Sequence, residues 1–142
     1  MKTSNRGIEL IKEHEGFRSH AYLCPAGKWT IGYGHTGGVK SGDVITRAQG
    51  EAFLKSDVSE CEKAVNAERL NLTQNQFDAL VSFVFNFGGP KFKTSTLLKR
   101  IREDVNDPRI RYEFSRWIHS KGKVEPGLVK RRKVEADLYF SK

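Results

Sequence analysis

The stretch HEGFRSHAYLCPAGKWTIGYGHT, residues 14–36, marks the point where the chain changes from a helical pattern to a strand pattern. Apolar residues at helical spacing predict a helix over residues 4–14, and a glycine ends it, so Glu15 falls at the carboxyl end of that helix. The segment CPAGK then has the composition of a turn, and WTIGYGH has that of a strand. Cys24 lies in this turn and Thr30 in this strand. Together with Glu15 they are three side chains that could take part in catalysis, and all three lie near the point where the pattern changes.

The remainder of the chain is typical of helices. Capping-box patterns that begin at Thr46 and Thr73 predict a long helix to about residue 67 and a central buried helix over FDALVSFVFNF, which GGP ends. Further helices are predicted over STLLKRI, over RIRYEFSRWI and, after Pro126, over GLVKRRKVEADLYF. The predicted fold class is therefore α+β and mostly helical, with one small sheet confined to about residues 17–45.

Length and composition favour one compact domain with a basic surface. The chain has 142 residues and a formal net charge of +8, which favours polyanionic partners such as nucleic acid, anionic lipid or acidic cell-wall polymers. Its 2 cysteines do not form a disulfide framework, and neither belongs to a CxxC pair of the usual zinc spacing. The first residues lack the apolar run of a secretory signal, so we expect a protein that is made and kept in the cytoplasm until another agent releases it.

The spacing of the three chemical side chains resembles that of a known enzyme family. Glu15, eight residues, Cys24, five residues and Thr30 fit the pattern of the phage lysozyme or endolysin family, glycoside hydrolase family 24, in which Asp or Cys holds the second position. The segments FDALVSFVFNFG, STLLKRI and GLVKRRKVEADLY resemble later parts of that family, so the resemblance covers nearly the whole chain. It implies a single domain, residues 1–142, with a lysozyme-like two-lobed fold.

That fold would place a small antiparallel β-sheet lobe of about residues 15–60 beside a larger helical lobe. The helical lobe would contain about residues 61–142 together with the N-terminal helix. A cleft between two such lobes is where a ligand site is expected.

The resemblance also implies an activity. The chain would be an endolysin, an N-acetylmuramidase that cleaves the β-1,4 bond between N-acetylmuramic acid and N-acetylglucosamine in peptidoglycan, with inversion and with no metal or cofactor. Glu15 would be the general acid, since partial burial favours the protonated form of a carboxyl group. Thr30 would hold the attacking water through its hydroxyl. Cys24 would be a thiolate base, a covalent nucleophile, or a group that merely tolerates that water.

Further residues match positions that line the saccharide cleft in related enzymes. They are Thr36, Phe85 and Ser95. The family motif also carries a histidine at the position of His35, for which a structural hydrogen bond is favoured over catalysis.

The resemblance extends to partners and location. Peptidoglycan would be the substrate, reached from the host cytoplasm through a holin-type pore and cut in the periplasm or cell wall. Basic residues of LVKRRK and LLKRIR would draw the enzyme to anionic lipopolysaccharide, and the basic C-terminal helix would disturb an outer membrane. A monomer is favoured, with no nucleic-acid partner.

Three other functions are consistent with parts of the sequence. A lytic transglycosylase also uses a single glutamate and would make Cys24 dispensable. A cell-wall amidase or peptidase would use Cys24 as nucleophile and His35 as base, but Cys24 precedes a proline in a turn rather than beginning a helix. A basic nucleic-acid-binding module fits the charge, although its usual recognition motifs are missing.

Overall fold

A computed structural model describes residues 1–142, which form seven helices and two small antiparallel sheets. The helices are α1 (Asn5–Glu15), α2 (Arg47–Asn66), α3 (Gln74–Phe87), α4 (Gly89–Lys93), α5 (Thr96–Glu103), α6 (Arg109–Ser115) and α7 (Pro126–Tyr139). The strands are β1 (Arg18–Leu23), β2 (Trp29–Gly32), β3 (His119–Ser120) and β4 (Lys123–Val124).

Helix α3 is the centre of the core, as its apolar sequence predicts. It packs against α1, α2 and α7, and its residues Phe77, Leu80 and Phe83 are fully buried. The ring of Phe83 packs in tilted or edge-on arrangements on the rings of Phe87, Phe92, Phe114 and Trp117, and the guanidinium carbon of Arg132 lies 5.2 Å from its centroid. Burial of large aromatic rings supplies much of the free energy that stabilises a domain of this size.

The predicted helix starts are confirmed. Thr46 and Gln49 form a reciprocal capping box at α2, and Thr73 and Gln76 form a second one at α3. Each box satisfies two backbone N–H groups that the first turn of a helix leaves free. Helix α7 begins at Pro126, whose fixed φ suits the first helical position.

The small lobe is a hairpin of β1 and β2 that leads into a loop extending to Val44. The hairpin strands pair antiparallel with an irregularity between Arg18 and Tyr22, and Val44 forms a bridge with His20. The hairpin lies against α2, which also packs on α3 and so joins the two lobes. The predicted α+β class, mostly helical with a small antiparallel sheet, is confirmed.

Three details differ from the prediction. The strand predicted over WTIGYGH ends at Gly32, and the short helix α4 begins at Gly89, inside the segment GGP, where no element was predicted. The prediction of a single sheet was wrong, because β3 and β4 form a second hairpin. Lys121 and Gly122 both have positive φ there, at 52° and 77°, which is the backbone form of a tight two-residue turn.

Helix α7 packs its apolar residues inward. Ala136, Leu138 and Tyr139 are buried against α3 and α6, so this apolar surface is not free in the folded protein. None of the helices combines the length and the apolar character that a membrane crossing requires.

Candidate active site

Glu15 is the last residue of α1 and points toward the start of α7. Gly16 ends the helix, and its N–H donates to Lys12 O at 2.8 Å. The Glu15 side chain is 19% exposed, and its Oε2 accepts a hydrogen bond from Arg131 Nη1 at 2.6 Å. A charge-assisted contact of this length fixes the carboxylate on the side of α7.

A cleft of about 520 Å³ opens beside this ion pair. It lies between the end of α1, the end of α3 and the first turns of α7. Its lining is mainly polar and charged, and consists of Glu13, His14, Glu15, Asn86, Glu125, Gly127, Leu128, Lys130, Arg131 and Val134. A polar lining of this kind suits a ligand that is rich in hydroxyl and amide groups.

The small lobe reaches Glu15 at Gly34. A Cβ added to Gly34 would lie 2.7 Å from Glu15 Oε1 and 3.8 Å from Phe85 Cε1, and Gly34 has φ +77°. A side chain at this position would therefore collide with the carboxylate, and the backbone form itself favours glycine. Glu15 consequently lies where the two lobes meet, with Phe85 beside it.

Cys24 and Thr30 lie together on the hairpin. The backbone of Cys24 pairs with Lys28 across the turn at 2.9 Å, while Thr30, which is only 4% exposed, donates its hydroxyl to Lys28 O at 3.1 Å. A backbone hydrogen bond at Lys28 lowers the pKa of the Cys24 thiol, with smaller contributions from the backbone at Ala26 and from the Thr30 hydroxyl. These contacts favour the thiolate, which both a base and a nucleophile require.

His35 makes hydrogen bonds of the kind that the structural role favoured from the sequence requires. Its Nδ1 lies 2.8 Å from Asp57 Oδ2 and its Nε2 lies 3.0 Å from Gly37 O. The ring also stacks on Phe53 with centroids 4.3 Å apart. Since both ring nitrogens already face acceptors, this geometry disfavours His35 as the base for Cys24 in an amidase or peptidase.

The three predicted cleft residues occupy different environments. Phe85 is half-buried beside Glu15, whereas Thr36 is exposed in the loop after β2. Ser95 is buried and caps α5, because its hydroxyl donates to Phe92 O at 2.7 Å and accepts from Leu98 N at 3.0 Å. A saccharide contact for these residues stays a prediction.

Behind Glu15 lies a buried charged network on α7 that the sequence interpretation missed. Arg131 and Arg132 are 4% and 1% exposed, so these two residues of LVKRRK are not available to draw the protein to an anionic surface. Both contact Glu135, which is fully buried and also accepts a hydrogen bond from Ser82 Oγ at 2.5 Å. The signal present in the sequence was Glu135, which follows Arg132 by three residues and Arg131 by four, because residues at these spacings share one helix face.

A glutamate at the joint of a hairpin lobe and a helical lobe, inside a polar cleft, defines a lysozyme-like class of protein. The comparisons agree with this class. Residues 12–135 match the family model described as phage lysozyme. The chain is 47% identical to the endolysin of Acyrthosiphon pisum secondary endosymbiont phage 1, over 99% of each chain. It is 37% identical to the endolysin of Salmonella phage P22, again over 99% of each.

A solved structure supports the same assignment. The muramidase domain of SpmX from Asticaccaulis excentricus superposes with a TM-score of 0.90 and 39% identity, over 99% of each chain. The chain belongs to the phage lysozyme family.

Proposed function

We propose that this protein is an endolysin that hydrolyses peptidoglycan as a muramidase, at the β-1,4 bond between N-acetylmuramic acid and N-acetylglucosamine. Membership of the phage lysozyme family supports the reaction class. The observation that carries the proposal is the position of Glu15, which lines the polar cleft while its Oε1 lies 2.7 Å from the Cβ position of Gly34. A sugar chain bound between the lobes would pass this carboxyl group.

Glu15 is the proposed general acid. It gives its proton to the oxygen that leaves the cleaved bond, and a positive charge develops on the sugar as that bond breaks. The resulting carboxylate faces Arg131 Nη1 at 2.6 Å, so the negative charge that forms in this step meets a cation already in place.

Cys24 and Thr30 are the proposed second half of the site. Thr30 holds a water through its hydroxyl, and the adjacent Cys24 thiolate accepts a proton from that water as it attacks the sugar. The hydrogen bonds that lower the pKa of Cys24 support this assignment. Attack in a single displacement inverts the anomeric centre, which NMR of the freshly formed product on a soluble glycan would detect.

Product chemistry tests the function against its rivals. Purified peptidoglycan treated with the enzyme should gain reducing ends on N-acetylmuramic acid. Release of 1,6-anhydro ends instead would establish a lytic transglycosylase, and new free amines from the stem peptides would establish an amidase or peptidase. Mass spectrometry of the soluble fragments distinguishes all three outcomes in one digest.

The partners of the enzyme other than peptidoglycan, and its route to the cell wall, are also proposals. A holin-type pore would release the enzyme from the host cytoplasm, and the enzyme would act as a monomer. The exposed lysines Lys130 and Lys133 and the net charge of +8 support attraction to anionic lipopolysaccharide. If this attraction is electrostatic, binding to lipopolysaccharide will weaken steeply as salt rises.

A further inference from the structure

Arg131 lies between two carboxylates that have opposite surroundings. Its Nη1 donates to Glu15 Oε2 at 2.6 Å on the cleft side, and its Nε faces Glu135 Oε2 at 3.4 Å on the core side. Its Nη2 donates to Ser82 O at 3.2 Å, which anchors the guanidinium to α3. The position and charge of Arg131 are therefore shared between the proposed acid and a buried glutamate.

Glu135 is held firmly in this arrangement. It is 0% exposed, and its Oε2 accepts from Ser82 Oγ at 2.5 Å and from Arg132 Nη2 at 2.9 Å. Its Oε1 lies 2.7 Å from Arg132 Nε. Burial lowers the pKa of Arg132 below its usual value, with Glu135 opposing that change. A carboxylate that deep is retained at a cost in desolvation, so its presence calls for a reason.

The charges explain what Glu135 does for Glu15. Two arginines face two glutamates, so the group is formally neutral when Glu15 is ionised and carries one positive charge when Glu15 is protonated. Without Glu135, Glu15 would be the one carboxylate left to Arg131, and the buried charge of Arg132 would stay unpaired nearby, so both cations would favour the ionised Glu15. A general acid needs the opposite condition, because it must carry a proton before the reaction.

We propose that Glu135 is a positioning residue for Glu15: it holds Arg131 from the core side and limits how strongly Arg131 stabilises the Glu15 carboxylate. This rests on the proposed function, in which Glu15 is the general acid. Glu135 acts through Arg131 and does not touch the substrate. Ser82 supports it by binding both Glu135 and Arg131 from α3.

Other charged groups also surround Glu15, and none of them is changed in the variants below. Helix α1 contributes Glu13 and His14, while Gly34, which approaches Glu15 from the loop after β2, and Phe85, which approaches Gly34 from α3, carry no charge. The first turns of α7 contribute Glu125 and Lys130. These groups line the open cleft, where solvent screens them, whereas Glu135 is buried.

The test is the pH profile of kcat/KM on purified peptidoglycan for Glu135→Gln. In this variant Arg131 has Glu15 as its one carboxylate partner, so Glu15 should lose its proton at lower pH. The basic limb of the profile should therefore shift down by about one pH unit, and kcat/KM on that limb should be about tenfold lower than in the wild type. Glu135→Asp keeps a carboxylate and should recover part of the shift. A purely structural role would lower the stability without moving the profile.

Glu113→Gln is the matched control. Glu113 is another buried glutamate, 3% exposed, and lies between Arg116 Nη1 at 3.1 Å and Arg100 Nε at 3.7 Å, without contact to Glu15. Its substitution removes the same charge and should destabilise the fold by a similar amount. Its pH profile should remain that of the wild type.

A double variant covers the case in which Glu135→Gln does not fold. Glu135→Gln with Arg132→Met removes one charge of each sign, so no unpaired cation is left in the core, and Arg131 still keeps Glu15 as its one carboxylate partner. A smaller shift of the basic limb in the same direction is expected, because Arg131 still loses Glu135 as a partner, while the loss of Arg132 removes a second cation that also favours the ionised Glu15. A wild-type profile in a folded variant that still releases reducing ends would overturn the role of Glu135 and leave the muramidase function standing. Failure of the wild type to release reducing ends would overturn the function itself.

Discussion

The two sides of Glu15 are built in different ways. On the helical side, Arg131 and Glu135 are buried and bound to each other and to Ser82. On the hairpin side, Cys24 is partly exposed, and the hairpin's own backbone sets its surroundings. The helical side thus couples the chemistry of the site to the stability of the core, whereas the hairpin side adjusts the chemistry with little effect on the core.

The largest difference in unfolding free energy should appear when one large side chain on each side is replaced by alanine. Phe83→Ala in α3 removes a fully buried ring and should lower the free energy of unfolding by about 3–5 kcal/mol. Leu23→Ala at the end of β1, where the residue is 56% exposed, should change it by less than about 0.5 kcal/mol. Urea denaturation of both variants measures this difference, and equal losses would contradict the contrast.

The second prediction concerns the contact between the lobes. Gly34→Ala places a methyl group 2.7 Å from Glu15 Oε1, and displacement of that carboxylate should slow peptidoglycan cleavage by about a hundredfold. Gly38→Ala is the matched control, since Gly38 has a similar φ of +70° but no atom within 4 Å of its Cβ position. It carries the same backbone strain without the collision. Equal loss of activity in the two variants would show that strain alone is responsible.

A smaller effect is expected from the hydroxyl on the hairpin. Thr30→Val keeps the shape of the side chain but removes the group that is proposed to hold the water, so the initial rate should fall about tenfold. The unfolding free energy should fall by about 1 kcal/mol, the usual contribution of one hydrogen bond. Thr94→Val removes a hydroxyl that also donates to a carbonyl but lies exposed at the end of α4, away from the hairpin, and should leave the rate unchanged.

The two thiols should differ in reactivity by at least about tenfold at pH 8. Hydrogen bonds lower the pKa of Cys24, so its thiolate forms at lower pH than in an unfolded chain, while burial raises the pKa of Cys61 to about 12. Iodoacetamide should therefore label Cys24 first, as peptide mapping by mass spectrometry would detect. Preferential labelling of Cys61 in the folded protein would contradict the environment described for the hairpin.

Local features were predictable from the sequence and distant contacts were not. The capping boxes at Thr46 and Thr73 use residues three apart, so their pattern is visible in the sequence and both helices begin where predicted. The short second hairpin was missed because strands of two residues have no periodicity to detect. Its turn depends on backbone angles rather than on an apolar pattern.

The candidate site divides in the same way. Cys24 and Thr30 are close in sequence and lie together on one hairpin, whereas Arg131 is 116 residues from Glu15 and pairs with it only through the packing of α7. A basic run such as LVKRRK is usually a solvated helix face, and burial of two of its arginines depends on the contact with α3. The arginine beside the proposed acid was therefore outside the reach of sequence patterns.

The most direct measurement is the initial rate of reducing-end release from purified peptidoglycan by Glu15→Gln. Glu9→Gln is its control, because Glu9 lies on the same helix, is exposed and pairs only with Lys12 at 3.5 Å. Loss of the general acid should slow Glu15→Gln by at least about a hundredfold, while Glu9→Gln keeps the wild-type rate. A folded Glu15→Gln variant that releases reducing ends at the wild-type rate would contradict the assignment of Glu15 as the acid.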